Sequence, residues 1–301
     1  MNNKFDELTK CPAKPITRRG ALKRCGLGLA GIALARFGLN EAQAITNGQL
    51  DGNAHPNVGG FVWLVSPRPP TPAPLVAGTG SLIHPRVVLT AGHGTNLVKT
   101  LVDQDAMTLD DILISFATDT ADPGTWRSIS AMLPHPEYLA NPTNGPDVGV
   151  AILKRPVTRI STVPLPPVGF LDALKAIGEL KAGSERTRFT VVGYGVDAAD
   201  ANYGHLPFPP DGLRRSARPE FQNLHDRWLY TDQNDSRDNG GTCTGDSGGP
   251  LFWADPGTGR ETLVAIAVRG TLTTAFASRV DTFEVLAFLN SVIARVEANE
   301  L

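Results

Sequence analysis

Cysteine is scarce in this 301-residue chain: there are three, and two of them, Cys11 and Cys25, fall within the first 44 residues. A small scaffold held together by a disulfide framework is therefore excluded. An excess of charge of one sign is also missing, with 28 Lys and Arg against 30 Asp and Glu. The chain has no basic footprint for nucleic acid. Long apolar runs are absent as well. The run over residues 25–35 has 11 residues, too few to span a bilayer in the usual way. There is no internal repeat and no low-complexity tract. What remains is ordinary globular composition, 41% hydrophobic and 19% charged, in a length that holds one large domain or two medium ones.

The first 44 residues read as an address and not as fold. A twin arginine, Arg18-Arg19, precedes the short apolar run, Arg36 ends it, and a small-residue site follows at Ala42-Gln43-Ala44. That order reads as a secretory signal, with an N-terminal membrane-anchoring helix as the alternative, and the arginine pair points to the twin-arginine route, which exports folded protein. Ala33-Leu34-Ala35 is a second candidate cleavage site. Cleavage after Ala44 leaves 20 basic and 27 acidic residues, a formal charge of -7. The expected product is an exported protein, periplasmic or extracellular, with no stable membrane association and no affinity for nucleic acid. Of the cysteines it keeps Cys243 alone, without an intrachain partner, and expected as a buried inert thiol with a reactive thiol near the site as the alternative.

Short β-branched and aromatic runs separated by Gly and Pro fill residues 45–280, among them 75–83, 87–91, 148–154, 188–195, 250–253 and 262–269. They predict an all-β barrel or sandwich. The Pro-rich stretch 67–74 reads as a hairpin loop, and 164–169 as a linker near the middle. Near the C-terminus, Asp281-Thr282-Phe283-Glu284 resembles a capping box, and Phe283, Leu286, Leu289, Ile293 and Val296 recur at helical spacing. The chain thus divides into a leader (1–44), a first half (45–165) and a second half with a terminal helix (166–301).

Three local patterns carry chemistry. Gly245-Asp246-Ser247-Gly248-Gly249-Pro250 sets a serine among residues that allow a tight turn and bring backbone N–H groups toward a substrate. A serine hydroxyl needs a base to take its proton. Val88-Leu89-Thr90-Ala91-Gly92-His93 supplies one, a histidine just after an apolar strand. The other five histidines, His55, His84, His135, His205 and His225, lack this setting and read as surface or structural. Asp147 leads the apolar run 148–153, a costly place for a carboxylate unless it is paired.

The order His93, Asp147, Ser247 with these flanks resembles the chymotrypsin-like serine proteases, over nearly all of 45–301. Gly80-Ser81-Leu82-Ile83, Gly193-Tyr194-Gly195 and the strand from Leu263 to Gly270 extend the resemblance. It implies two perpendicular six-stranded antiparallel barrels with a C-terminal α-helix, and a monomeric endopeptidase acting on proteins or peptides without cofactor or metal. Ser247 would attack the scissile carbonyl, with His93 as base and Asp147 orienting it. The N–H groups of Gly245 and Ser247 would form the oxyanion hole. An N-terminal amine freed at Ile45, in Ile45-Thr46-Asn47-Gly48, would pair with Asp246. Gly241, Thr242, Gly270 and Ala275 would line an open, uncharged specificity pocket suited to apolar residues.

Departures from the family are local. Gly94 and Gly78 stand where it usually has a bridged cysteine pair, Val268 where a serine often supports the aspartate, and Arg269 where Trp is common. Asp119 and Asp122 lie in a loop where some relatives bind calcium, and they read here as solvated. Two alternatives remain: a catalytically weak or inactive binding protein on the same fold, and an esterase of another fold. The second fits G-x-S-x-G at the serine but not the apolar strand that follows it.

Overall fold

The structure, a computed structural model, describes residues 45, 47–64, 75–182, 187–195, 211–237, 239–271 and 273–301. The expected leader and the Pro-rich loop over 67–74 lie outside the described residues.

Alternation and β-branching produce strands as expected. β1 (Gln49–Leu50) precedes β2 (Val58–Trp63), β3 (Leu75–His84), β4 (Val87–Thr90), β5 (Ile112–Ser115), β6 (Trp126–Pro134) and β7 (Gly149–Leu153). The last six close into an antiparallel barrel in the order β2-β3-β4-β7-β6-β5. Its interior is a core of Leu82, Val88, Ile112, Ile114, Ile129 and Leu153, all fully buried.

The second half contributes β8 (Phe189–Gly193), β9 (Arg215–Ala217), β10 (Glu220–Leu224), β11 (Trp228–Asp232), β12 (Pro250–Ala254), β13 (Glu261–Gly270) and β14 (Thr274–Arg279). With β1 they form an eight-stranded sheet in the order β1-β9-β8-β12-β13-β14-β11-β10. β9 and β10 are one bent stave. Pro219 lies between them and, lacking an N–H, interrupts the ladder there. An antiparallel bridge from Glu220 to Arg188, just before β8, draws the sheet round on itself. Six staves result, and β1 is an added edge strand. The two-barrel expectation stands in this form.

Among the described residues, four α-helices connect or cover these sheets: α1 (Gly92–Asp103), α2 (Pro136–Ala140), α3 (Phe170–Ala176) and α4 (Phe283–Glu297). α4 buries Val285, Leu286, Leu289, Val292 and Val296 in a cluster that also holds Val87, Val150 and Ile152. The terminal helix therefore packs against strands of the first barrel, while β1 crosses to the second sheet. Two details of α4 differ from the expectation. Phe283 is 73% exposed, and Thr282 as N-cap makes no side-chain cap bond. The carboxylate of Asp281 instead takes the Leu171 N–H in the first turn of α3 at 2.8 Å, and pairs with Arg279.

The two halves are joined by a buried polar network. Arg214 is 1% exposed, and its guanidinium donates to Asp51, to the carbonyls of Val58, Phe116 and Gly52, and to the Tyr194 hydroxyl. The Tyr194 hydroxyl in turn donates to the Ala117 carbonyl at 2.6 Å. His55 lies between Asp51 (2.5 Å) and Glu261 (2.8 Å). Burial disfavours its charged form, but hydrogen bonds and charges of the two carboxylates outweigh this and raise its pKa to about 9. Its contribution to stability is thus complete below about 6.5 and lost as pH rises through about 9. Removing the Arg214 charge would leave Asp51 and several carbonyls short of a partner in a low-dielectric interior. Arg214→Met is expected to cost roughly 3–5 kcal/mol in denaturant unfolding. A change below about 1 kcal/mol at constant slope would show that the network carries little stability.

Candidate active site

β4 ends at Thr90, and the chain turns through Ala91 and Gly92 into α1, so His93 lies in the first turn of that helix. Asp147 stands just before β7, which pairs with β4 through Thr90↔Gly149. This register brings the two side chains together. Asp147 Oδ2 lies 2.9 Å from His93 Nδ1, and Oδ1 accepts the His93 backbone N–H at 2.8 Å. With Nδ1 as the donor to the carboxylate, Nε2 remains an acceptor. Burial opposes charging the His93 ring, but the charge and hydrogen bond of Asp147 outweigh it and hold its pKa above the usual 6.5. Tyr138, buried in α2, feels the same carboxylate: burial and the Asp147 charge together push its phenol upward.

The segment from Cys243 to Gly249 lies at the seam of the two sheets and is pinned from both sides. On the first barrel, Thr79 of β3 donates its N–H to the Ser247 carbonyl at 2.9 Å and its hydroxyl to the Gly245 carbonyl at 3.0 Å. On the second sheet, Gly248 N–H reaches the Ala267 carbonyl at 2.7 Å, and Ala267 N–H reaches the Gly249 carbonyl at 2.8 Å. Gly245 (φ 97°) and Gly248 (φ 84°) adopt the left-handed region, which side chains rarely tolerate. A Cβ on Gly248 would also strike Thr90 and come 2.6 Å from the Ala91 N, so this turn presses directly on the entry to His93.

Among the described residues, the N–H groups of Gly245 and Ser247 have no acceptor. No hydrogen bond joins the Ser247 hydroxyl to the His93 ring. Such bonds are often long without substrate and tighten on binding. The arrangement offers an oriented base, a serine on a glycine turn at the same seam, and two undirected N–H donors beside it. Those are the parts that acyl transfer to a serine requires.

Asp246 is fully buried, and its carboxylate accepts the N–H of Cys243 and of Gly195, each at 2.8 Å. Burial raises its pKa to about 7 against the pull of these two bonds. A Cβ on Gly195 would lie 2.6 Å from that carboxylate, which accounts for the glycine. No ion pair to Asp246 occurs among the described residues, and Ile45 instead buries its side chain completely in the core of the second sheet.

Gly241 and Thr242 are buried, and Gly270 and Ala275 are cross-strand partners. The side chain of Gln233, which nothing in the local sequence singled out, lies against both Gly241 and Gly270. Cys243, expected to stand alone once residues 1–44 are removed, is disulfide-bonded in the uncut chain. Asp119 and Asp122 each accept a backbone N–H of their own loop, from Ala121 and Gly124.

A family model described as Trypsin matches residues 52–285 of the chain.

Proposed function

The chain belongs to the trypsin family, and from that premise we propose that it is a secreted serine endopeptidase working through an acyl-enzyme. Ser247 attacks the scissile carbonyl, and His93 takes the hydroxyl proton and returns it to the leaving amine. Asp147 holds the ring and stabilises its charged form, while the N–H groups of Gly245 and Ser247 receive the oxyanion. The observation that carries this reading is the grip of Asp147 on His93 through both carboxylate oxygens, beside the pinned serine turn. Turnover needs the neutral imidazole, so the acid limb of kcat/KM is expected above pH 6.5.

The direct test is a serine-directed organophosphonate. One equivalent on Ser247, mapped by mass spectrometry, with parallel loss of casein cleavage, supports the reading; cleavage that persists in fully labelled protein overturns it. Export is the second part of the proposal: residues 1–44 are a twin-arginine leader, and its removal after Ala44 frees the Ile45 amine to pair with Asp246. N-terminal sequencing of exported protein decides this, and an active species that begins at or before Arg36 overturns it. Because the other two cysteines precede residue 45, the sequencing is run with and without reductant. That separates a leader which is lost from a fragment retained through Cys243.

A further inference from the structure

Thr79 sits near the middle of β3, fully buried, opposite Gly60 of β2. β3 belongs to the first barrel, yet this residue bonds the second half at three points. Its N–H donates to the Ser247 carbonyl at 2.9 Å, its hydroxyl donates to the Gly245 carbonyl at 3.0 Å, and its Oγ1 accepts the Tyr194 N–H at 3.3 Å. A hydroxyl has one proton and two lone pairs. The Thr79 side chain therefore commits its proton to Gly245 and a lone pair to Tyr194. Its backbone carbonyl accepts the Thr90 hydroxyl at 2.8 Å, at the end of β4 and just before Ala91-Gly92-His93. Glycines make room for these contacts. A Cβ on Gly60 would lie 3.0 Å from the Tyr194 ring, and one on Gly249 would lie 3.2 Å from the Thr79 methyl.

We infer that Thr79 is a positioning residue for acyl transfer: its hydroxyl fixes the peptide that follows Gly245, and with it the direction of the Gly245 N–H; this rests on the endopeptidase reading. Gly245 needs such a hold. At φ 97° it lies where only glycine moves freely, so the peptides beside it can turn over at little steric cost. Asp246 braces the turn by accepting the N–H of Cys243 and of Gly195, but neither bond reaches the Gly245 carbonyl. Thr79 holds that carbonyl, and its own N–H holds the carbonyl of Ser247. An oxyanion donor contributes most when it is aimed before the charge develops. Because Thr90 grips the Thr79 carbonyl, the turn is also set against the loop that enters His93. Thr79 is fully buried and meets no substrate, so its effect falls on the transition state and not on ground-state binding.

The test uses the mature enzyme, one peptide anilide substrate and one peptide boronate. Thr79→Val replaces the hydroxyl by a methyl of similar size. It should lower kcat about tenfold or more, with KM within about threefold of wild type. The boronate forms a tetrahedral adduct on Ser247 that sets an oxygen among the same N–H donors, so its affinity should fall by a similar factor. Thr79→Ser keeps the hydroxyl and gives up only the methyl against Gly249. It should return kcat to within about threefold of wild type. A residue that served stability alone would lower the melting temperature in both variants and leave kcat and boronate affinity of the folded enzyme unchanged. If Thr79→Val does not fold, Thr79→Ala carries the test, since it differs from Thr79→Ser by the hydroxyl alone. An unchanged kcat in the folded hydroxyl-free variant, or a loss that Thr79→Ser shares in full, overturns the inference. Labelling of Ser247 by the organophosphonate separates the two failures. A labelled, active wild type whose kcat ignores the Thr79 hydroxyl sinks only the inference, whereas no label and no cleavage sinks the endopeptidase reading.

Discussion

Ser247→Ala is expected to lower kcat/KM on the order of 10⁵-fold or more while leaving the melting temperature within a degree or two of wild type. The two halves of this expectation come from different atoms. The hydroxyl makes no hydrogen bond among the described residues, so its loss removes no structural contact. The turn is held by backbone groups, the Ser247 carbonyl with Thr79 and Gly248 with Ala267, and these survive the substitution. His93→Ala should fall to a similar level, and the double variant scarcely further, because nucleophile and base act as a unit. Asp147→Asn should also be severe. An amide can accept from the His93 backbone or its ring with one oxygen, where the carboxylate now serves both. Steady-state kinetics on a single anilide substrate measure all four. A Ser247→Ala enzyme within tenfold of wild type would remove the serine mechanism altogether.

The second large effect concerns Asp246. In the intact chain its carboxylate has two backbone donors and no cation among the described residues, and burial lifts its pKa from 3.8 to about 7. A raised carboxylate value means that stability from the protonated form is complete below 3.8 and is lost as pH rises through about 7. The uncut chain should therefore soften across that window. A free ammonium at Ile45 would reverse the trend by supplying the missing charge. Its own pKa would be raised above an unfolded value of roughly 8, so the gain holds at neutral pH and fades at alkaline pH.

The local backbone favours the same event. Ile45 has φ 61°, a strained region for a β-branched residue. That angle is defined by the peptide bond to Ala44 and vanishes when the bond is cut. Thermal melts of cut and uncut protein should diverge most near pH 7–8 and converge toward pH 10. In the cut protein, Asp246→Asn should lose activity on the order of 10²–10³-fold, the equivalent of roughly 3–4 kcal/mol for a broken buried pair. The turn it supports carries both Gly245 and Ser247. An Asp246→Asn enzyme of near wild-type rate, or a fully active variant with one residue added before Ile45, would exclude the ion pair.

Much of the fold was legible because its signals are local. Strands over 75–84, 87–90, 149–153 and 250–254 follow from β-branched runs bounded by turn residues. The C-terminal helix follows from its apolar spacing, although the buried stripe runs through Val285 and Val292 and leaves Phe283 in solvent. α1 was not legible. Two of its first three residues are glycine, and it forms because Thr95 and Val98 bury against the barrel. The capping box failed for a tertiary reason: Asp281 is drawn to Arg279 and to the start of α3, partners that local spacing does not reveal.

Sequence by itself named the candidates for the site. His93, Asp147, Asp246 and Ser247 sit in short patterns where glycines and an adjoining strand dictate the local backbone, and such patterns read without knowing the rest of the chain. Tertiary structure alone decided which distant groups meet. Arg214 finds Asp51 across 163 positions, Tyr194 reaches Val58 across 136, and the Gln233 side chain comes to lie against Gly241 and Gly270. A buried polar group must be satisfied by whatever the fold brings beside it, and neither propensity nor periodicity carries information about that neighbour.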